Sequence, residues 1–105
     1  MVSKYKNIKT VIGDISFDSR KEASHWQLLK LRERAKEISD LQRQVRFKLI
    51  VEGVLICTYV SDFSYVENES AVIVDVKSEF TRKLPVYRIK KKLMKAVWKI
   101  DVVEV

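Results

Sequence analysis

The chain has 105 residues, 33% of them charged and 47% apolar, which excludes a disordered segment and leaves room for one domain, residues 1–105, with a modest core. Its net charge of +7 favours a polyanionic partner, nucleic acid ahead of a membrane surface. No apolar run reaches membrane-spanning length and no signal-peptide core is visible, so no membrane partner and a cytoplasmic location are expected.

Residues 4–17 read as a small hairpin, with Thr10–Ile12 and Ile15–Phe17 as β-formers around a tight turn at Gly13-Asp14. Lys4, Lys6 and Lys9 make this arm basic, which suits either a solvated edge or a contact with DNA. A helix then runs to about Lys36, and either Asp18 or Ser19 can cap it. Ala23, Trp26 and Leu29, with Leu28 alongside, form its apolar stripe. Glu22 falls on that stripe. Ser19-x-x-Glu22 matches a capping box, in which the glutamate reaches back to the cap, so Glu22 is either a cap residue or a site residue. His25 has no partner signature and reads as surface or packing.

Val45–Val51 and Val54–Val60 read as strands joined at Glu52-Gly53. Cys57, the only cysteine, sits in the second of them and reads as a buried, inert thiol. That strand flows into YVSDFSYV, and AVIVDVK follows after the polar break ENES. Both stretches are rich in Val, Ile, Tyr and Phe, and both carry a carboxylate where a buried strand should be apolar. Side chains alternate along a strand, so Ala71, Ile73, Asp75 and Lys77 share one face and Val72, Val74 and Val76 the other. A hairpin across ENES brings Asp62 near Asp75. Two carboxylates and a lysine converging there form an arrangement that binds a divalent metal beside a phosphate. Without a cation, two buried carboxylates repel each other and pay for their lost hydration.

Ser78–Leu84 reads as a polar connection, and Pro85 suits the first turn of a second helix. Val86, Ile89, Leu93 and Val97, with Met94 and Ala96, are its expected packing face. From Lys77 to Lys99 there are nine Lys or Arg against one acid, Glu79. That excess is more than solubility needs and fits contact with a phosphate backbone. Ile100–Val105 ends the chain as a short strand.

The expected fold is α/β with a mixed sheet: a β-hairpin, then α-β-β-β-α-β. In that order, Glu22, Asp62 and Asp75-Val76-Lys77 resemble the PD-(D/E)XK nuclease signature. The chain is also similar to a small phage family related to archaeal-type Holliday junction resolvases. The segments that carry this likeness are KYKNIKT, FDSRKEA, EISDL, YVSDFSY, VIVDVKS and Thr81…Tyr87…Lys90-Lys91-Lys92-Leu93. Ser78 departs from it, since glycine is expected after the D-x-K.

The resemblance implies a metal-dependent endonuclease that leaves a 5′-phosphate and a 3′-hydroxyl. Asp62 and Asp75 would hold Mg²⁺, with Mn²⁺ able to substitute and the Val76 carbonyl as a further ligand. Glu22 would bind a second metal or a water on the metal. Lys77 would orient or deprotonate the attacking water, or stabilise the transition state. Lys83, Arg88, Lys90, Lys91 and Lys92 would grip backbone, which positions DNA without reading bases. Recognition by shape suits a four-way junction, and two symmetric nicks there call for a C2 homodimer. Phe47, Leu49, Val54 and Ile56 are candidates for its interface. The alternatives are another branched-DNA or general DNase of the same superfamily, or a basic DNA-binding protein with structural carboxylates.

Overall fold

A computed structural model of the chain describes residues 9–105. Lys4 and Lys6 lie outside the described residues, and Lys9 is exposed. Thr10–Ile12 (β1) and Ile15–Phe17 (β2) form the expected antiparallel hairpin. Gly13 turns it at φ 59°, a left-handed conformation that a side chain would resist. The helix α1 spans Arg20–Arg34, and Ser19 is its cap: the Ser19 hydroxyl accepts from the Glu22 N–H at 3.1 Å. Ala23 and Leu29 are buried and Trp26 is half-buried, as the stripe predicts. Leu28 is exposed, because two residues past Trp26 the helix has turned about 200°.

The main sheet runs β3 (Ser39–Val51), β4 (Val54–Glu67), β5 (Ser70–Asp75) and β6 (Val103–Glu104) in that order. Its first three strands are antiparallel, and β6 lies parallel to β5. Glu52-Gly53 and Asn68-Glu69 both take positive φ, the two-residue turn whose twist matches a hairpin. β3 begins six residues before Val45. Its first half escapes sequence reading because Asp40 and Gln44 sit at φ 53° and 51° and interrupt the regular alternation.

The stretch read as a polar connection contains a short helix, α2 (Glu79–Arg82). Ser78 caps it in a reciprocal box with Thr81: the Ser78 hydroxyl accepts from the Thr81 N–H at 3.1 Å, and the Thr81 hydroxyl accepts from the Ser78 N–H at 2.8 Å. Serine in place of the expected glycine thus starts a helix. α3 (Pro85–Leu93) follows, with Pro85 in its first turn, and passes into a π-helical turn over Met94–Trp98 that Lys99 closes at φ 60°.

Two cores flank the sheet. Phe17, Ala23, Leu29, Ile38, Phe63, Tyr65 and Val74 form the first, under α1 and the hairpin. Leu49, Tyr59, Ile73, Tyr87, Met94 and Val102 form the second, under α3. Ile73 and Val74 divide between them, as strand alternation requires. Tyr59 and Phe63 are four residues apart, nominally on one face, yet serve different cores. On β3, Gln44 lies between the partners of these two residues, Phe47 and Arg43, and takes φ 51°.

The face expected for α3 needs correction. Tyr87 and Met94, seven residues apart, point inward, whereas Val86 is 66% exposed, Ile89 is 58% exposed and Ala96 is exposed. A tyrosine can bury its ring where its hydroxyl finds a partner, and that outweighs two aliphatic positions on the flank. Two further expectations change. Cys57 is half-buried at the rim of the second core. Leu49 is wholly buried within this chain's own core, while Val54 and Ile56 are exposed near the tip of the β3–β4 hairpin. Among the described residues, no helix is long and apolar enough to cross a membrane.

Candidate active site

Asp62 and Asp75 meet where the β4–β5 ladder ends, one step beyond the Phe63–Val74 pair. Each carboxylate holds the other strand's backbone. Asp75 Oδ1 accepts from the Asp62 N–H at 3.0 Å, and Asp62 Oδ2 accepts from the Val76 N–H at 2.8 Å. Asp75 is buried, and its Oδ2 accepts a hydrogen bond from the Tyr59 hydroxyl. Lys77 Nζ lies 3.7 Å from the same oxygen. β6 anchors the strand end: Val105 N–H donates to the Asp75 carbonyl and Lys77 N–H to the Val105 carbonyl, both at 3.0 Å.

Glu22 reaches the site from α1. Of the capping box only one half is seen: Ser19 takes the Glu22 N–H, and the Asp18 backbone lowers the Glu22 carboxyl against the effect of burial. Its side chain is buried and, with Asp18, Ser19, Asp62, Val76, Lys77 and Thr81, lines a small cleft of about 140 Å³. Lys21 ties α1 to the D-x-K strand end by donating to the Lys77 carbonyl at 2.8 Å. Glu22, Asp62, Val76 and Lys77 therefore line one cleft, and Asp75 adjoins it through Asp62 and Lys77.

The charge balance at this point is negative. Burial, then the charge of Asp75, pushes the Asp62 carboxyl up to about 7, with Glu22 adding to the effect and Lys77 opposing it. Burial, then Asp18, raises Glu22, and Asp75 adds to that while Arg43 opposes it. Burial and the Asp75 charge push the Tyr59 hydroxyl far up, so Tyr59 stays a donor. The donors are carboxylate oxygens with negative charge in excess, and Val76 lines the same cleft, a set that fits a hard cation. Among the described residues, no three His, Cys, Asp or Glu side chains are gathered closely enough to hold a metal by themselves.

The basic residues divide. Lys90 lines a groove with Tyr59, Val60, Asp75, Lys77 and Tyr87, so it lies beside the carboxylates. Arg88, Lys91 and Lys92 line a separate hollow of about 400 Å³ with Arg82 and Lys95. Lys91 is partly committed there: its Nζ is 3.3 Å from Glu104 Oε2. Lys83 is exposed at the end of α2.

Sequence reasoning missed Glu104, Tyr59 and Tyr87. Glu104 stands opposite Asp75 in the β5–β6 register, accepts from the Tyr87 hydroxyl at 2.6 Å, and faces Arg82 at 3.4 Å. Burial alone would raise its carboxyl, but hydrogen bonds from Tyr87 and Lys91 outweigh that and hold it below the usual range. The one signal available in advance is that a tyrosine within an apolar pattern needs a partner for its hydroxyl.

No curated protein and no solved structure matches the chain. One family profile matches residues 2–102, nearly the whole length, and the chain therefore belongs to the DUF1064 family, described as a protein of unknown function.

Proposed function

We propose that the protein is a divalent-cation-dependent, structure-specific DNA endonuclease with a PD-(D/E)XK-like core, acting on four-way junctions. The observation that carries this reading is the reciprocal locking of Asp62 and Asp75 where the β4–β5 ladder ends, with Lys77 against Asp75. A carboxylate pair with Asp75 buried and Asp62 half-buried, in which Asp62 is pushed up to about 7, is costly as pure structure and suits a cation. The basic surface of α2 and α3 beside it supplies the means to hold a polyanion.

Asp62 and Asp75 would hold Mg²⁺ or Mn²⁺, with the Val76 carbonyl and Glu22 as further oxygen donors. When bound, the cation supplies charge neutralisation at the scissile phosphate and a lowered pKa for the attacking water. Lys77, an ammonium with donors only, orients that water through its lone pairs and stabilises charge on the phosphate oxygens. Lys90 continues the positive path out of the groove, and Lys83, Arg88 and Lys92 meet backbone phosphates further along. Two symmetric nicks require two such sites, hence a homodimer.

A second reading, a basic DNA-binding protein without catalysis, draws on the fact that both Asp75 oxygens already have protein donors. End-labelled four-way junction and linear duplex, each with and without Mg²⁺, separate the two. The expected result is paired symmetric cuts confined to the junction, dependent on Mg²⁺ and absent in Asp75→Ala. Cutting of both substrates would remove the junction preference. Tight binding without cutting under any divalent cation would leave the DNA-binding reading.

A further inference from the structure

Lys77 Nζ stands 4.2 Å from the centre of the Tyr87 ring, well within cation–π range, and 3.7 Å from Asp75 Oδ2. A lysine on four rotatable bonds is otherwise free to leave such a place. Tyr87 is not free to leave. Its ring belongs to the second core and is 9% exposed, and its hydroxyl donates to Glu104. Glu104 is held in turn by its place on β6 opposite Asp75, by Arg82 and by Lys91. A chain of contacts thus runs from two basic residues of the DNA-facing helices, through Glu104 and Tyr87, to the ammonium beside Asp75.

We propose that Tyr87 is the positioning residue for Lys77: its ring holds the ammonium beside Asp75, and Glu104, through the tyrosine hydroxyl, fixes where the ring lies. The inference rests on the nuclease reading. Tyr87 is too buried to serve as a DNA contact, so its effect falls on the rate of cleavage and not on substrate affinity. A tyrosine that only filled the core would affect folding and leave the chemistry of a folded variant alone.

The test compares kcat and KM for junction cleavage in wild type, Tyr87→Phe, Tyr87→Leu, Lys77→Ala and the Lys77→Ala/Tyr87→Leu double variant, with the Tm of each. Phenylalanine keeps the ring but loses the bond to Glu104, so its kcat should fall about threefold, between wild type and the leucine variant, and a kcat equal to that of wild type would remove Glu104 from the proposal. Leucine removes it and should lower kcat about 10- to 30-fold at unchanged KM. In the double variant, the leucine change should add nothing to the loss caused by Lys77→Ala, since the two residues act as one unit. If the leucine variant fails to fold, Tyr87→Met fills the gap and carries the same expectation. An unchanged kcat in a folded leucine or methionine variant overturns the proposal, as does a rise in KM alone or a loss that adds in full to that of Lys77→Ala. A wild-type protein that cuts nothing overturns it together with the nuclease reading, and the wild-type lane tells that failure from the others.

Discussion

Replacing Asp62 by asparagine should make the cation-free protein more stable at alkaline pH, and the structure gives the size of the gain. The Asp62 carboxyl is pushed from 3.8 up to about 7, first by burial and then by Asp75. The folded chain therefore holds this proton more tightly than the unfolded chain. The stability it contributes is complete below about pH 4 and is lost as pH rises through about 7. The interval spans about three pH units at 1.36 kcal/mol each, so the loss is on the order of 4 kcal/mol. Asparagine keeps an oxygen for the Val76 N–H and carries no charge to lose. Denaturant melts in EDTA at pH 5 and pH 8.5 cross about two of these three units, on the order of 3 kcal/mol. Wild type should fall relative to Asp62→Asn by a few kcal/mol between the two, a Tm difference on the order of 15 °C for a domain of this size. Subtracting the variant removes the contribution of His25, while Glu22, whose charge acts on Asp62, contributes part of the difference. An equal pH dependence in both would refute the reasoning, and so would a variant less stable than wild type at pH 8.5.

Other expectations follow from single contacts. Tyr59→Phe leaves a buried Asp75 oxygen without its donor and should cost about 1.5–3 kcal/mol in a denaturant melt. Leu49→Ala empties a wholly buried site and should cost about 2–5 kcal/mol, whereas Ile56→Ala on the exposed hairpin should stay within about 0.5 kcal/mol. Sedimentation of Ile56→Glu beside wild type tests the expected homodimer: a loss of dimer at unchanged Tm supports that surface, and an identical dimer rejects it. Lys90→Ala should reduce the salt dependence of DNA binding by about one phosphate contact, a slope change of about 0.9. Lys91→Ala should also disturb Glu104, and so lower Tm as well as affinity.

Much of this site was legible because its signals are local. The Ser19 cap and the left-handed turns at Gly13 and Glu52-Gly53 come from a few neighbouring residues each. The meeting of Asp62 and Asp75 follows from alternation along a strand and one short hairpin turn. What escaped reading depends on tertiary partners. Tyr87 replaces Val86 and Ile89 on the inward face of α3 because Glu104, seventeen residues on, satisfies its hydroxyl. Nothing in the chain near Glu104 signals that it stands opposite Asp75, since parallel pairing joins segments that a whole helix separates. The early start of β3 was hidden by positive φ at Asp40 and Gln44, residues with no obligation to turn there.

The central claim is that Asp62 and Asp75 together hold a divalent cation, and Mn²⁺-induced broadening of backbone amide signals tests it most directly. One ion per chain should broaden the amides of Asp62, Asp75, Val76 and Lys77 first, at low Mn²⁺, and Asp75→Asn should abolish the effect. Broadening that begins instead at the exposed acidic residues Glu37, Asp40 and Glu69, or that survives Asp75→Asn unchanged, would contradict the account.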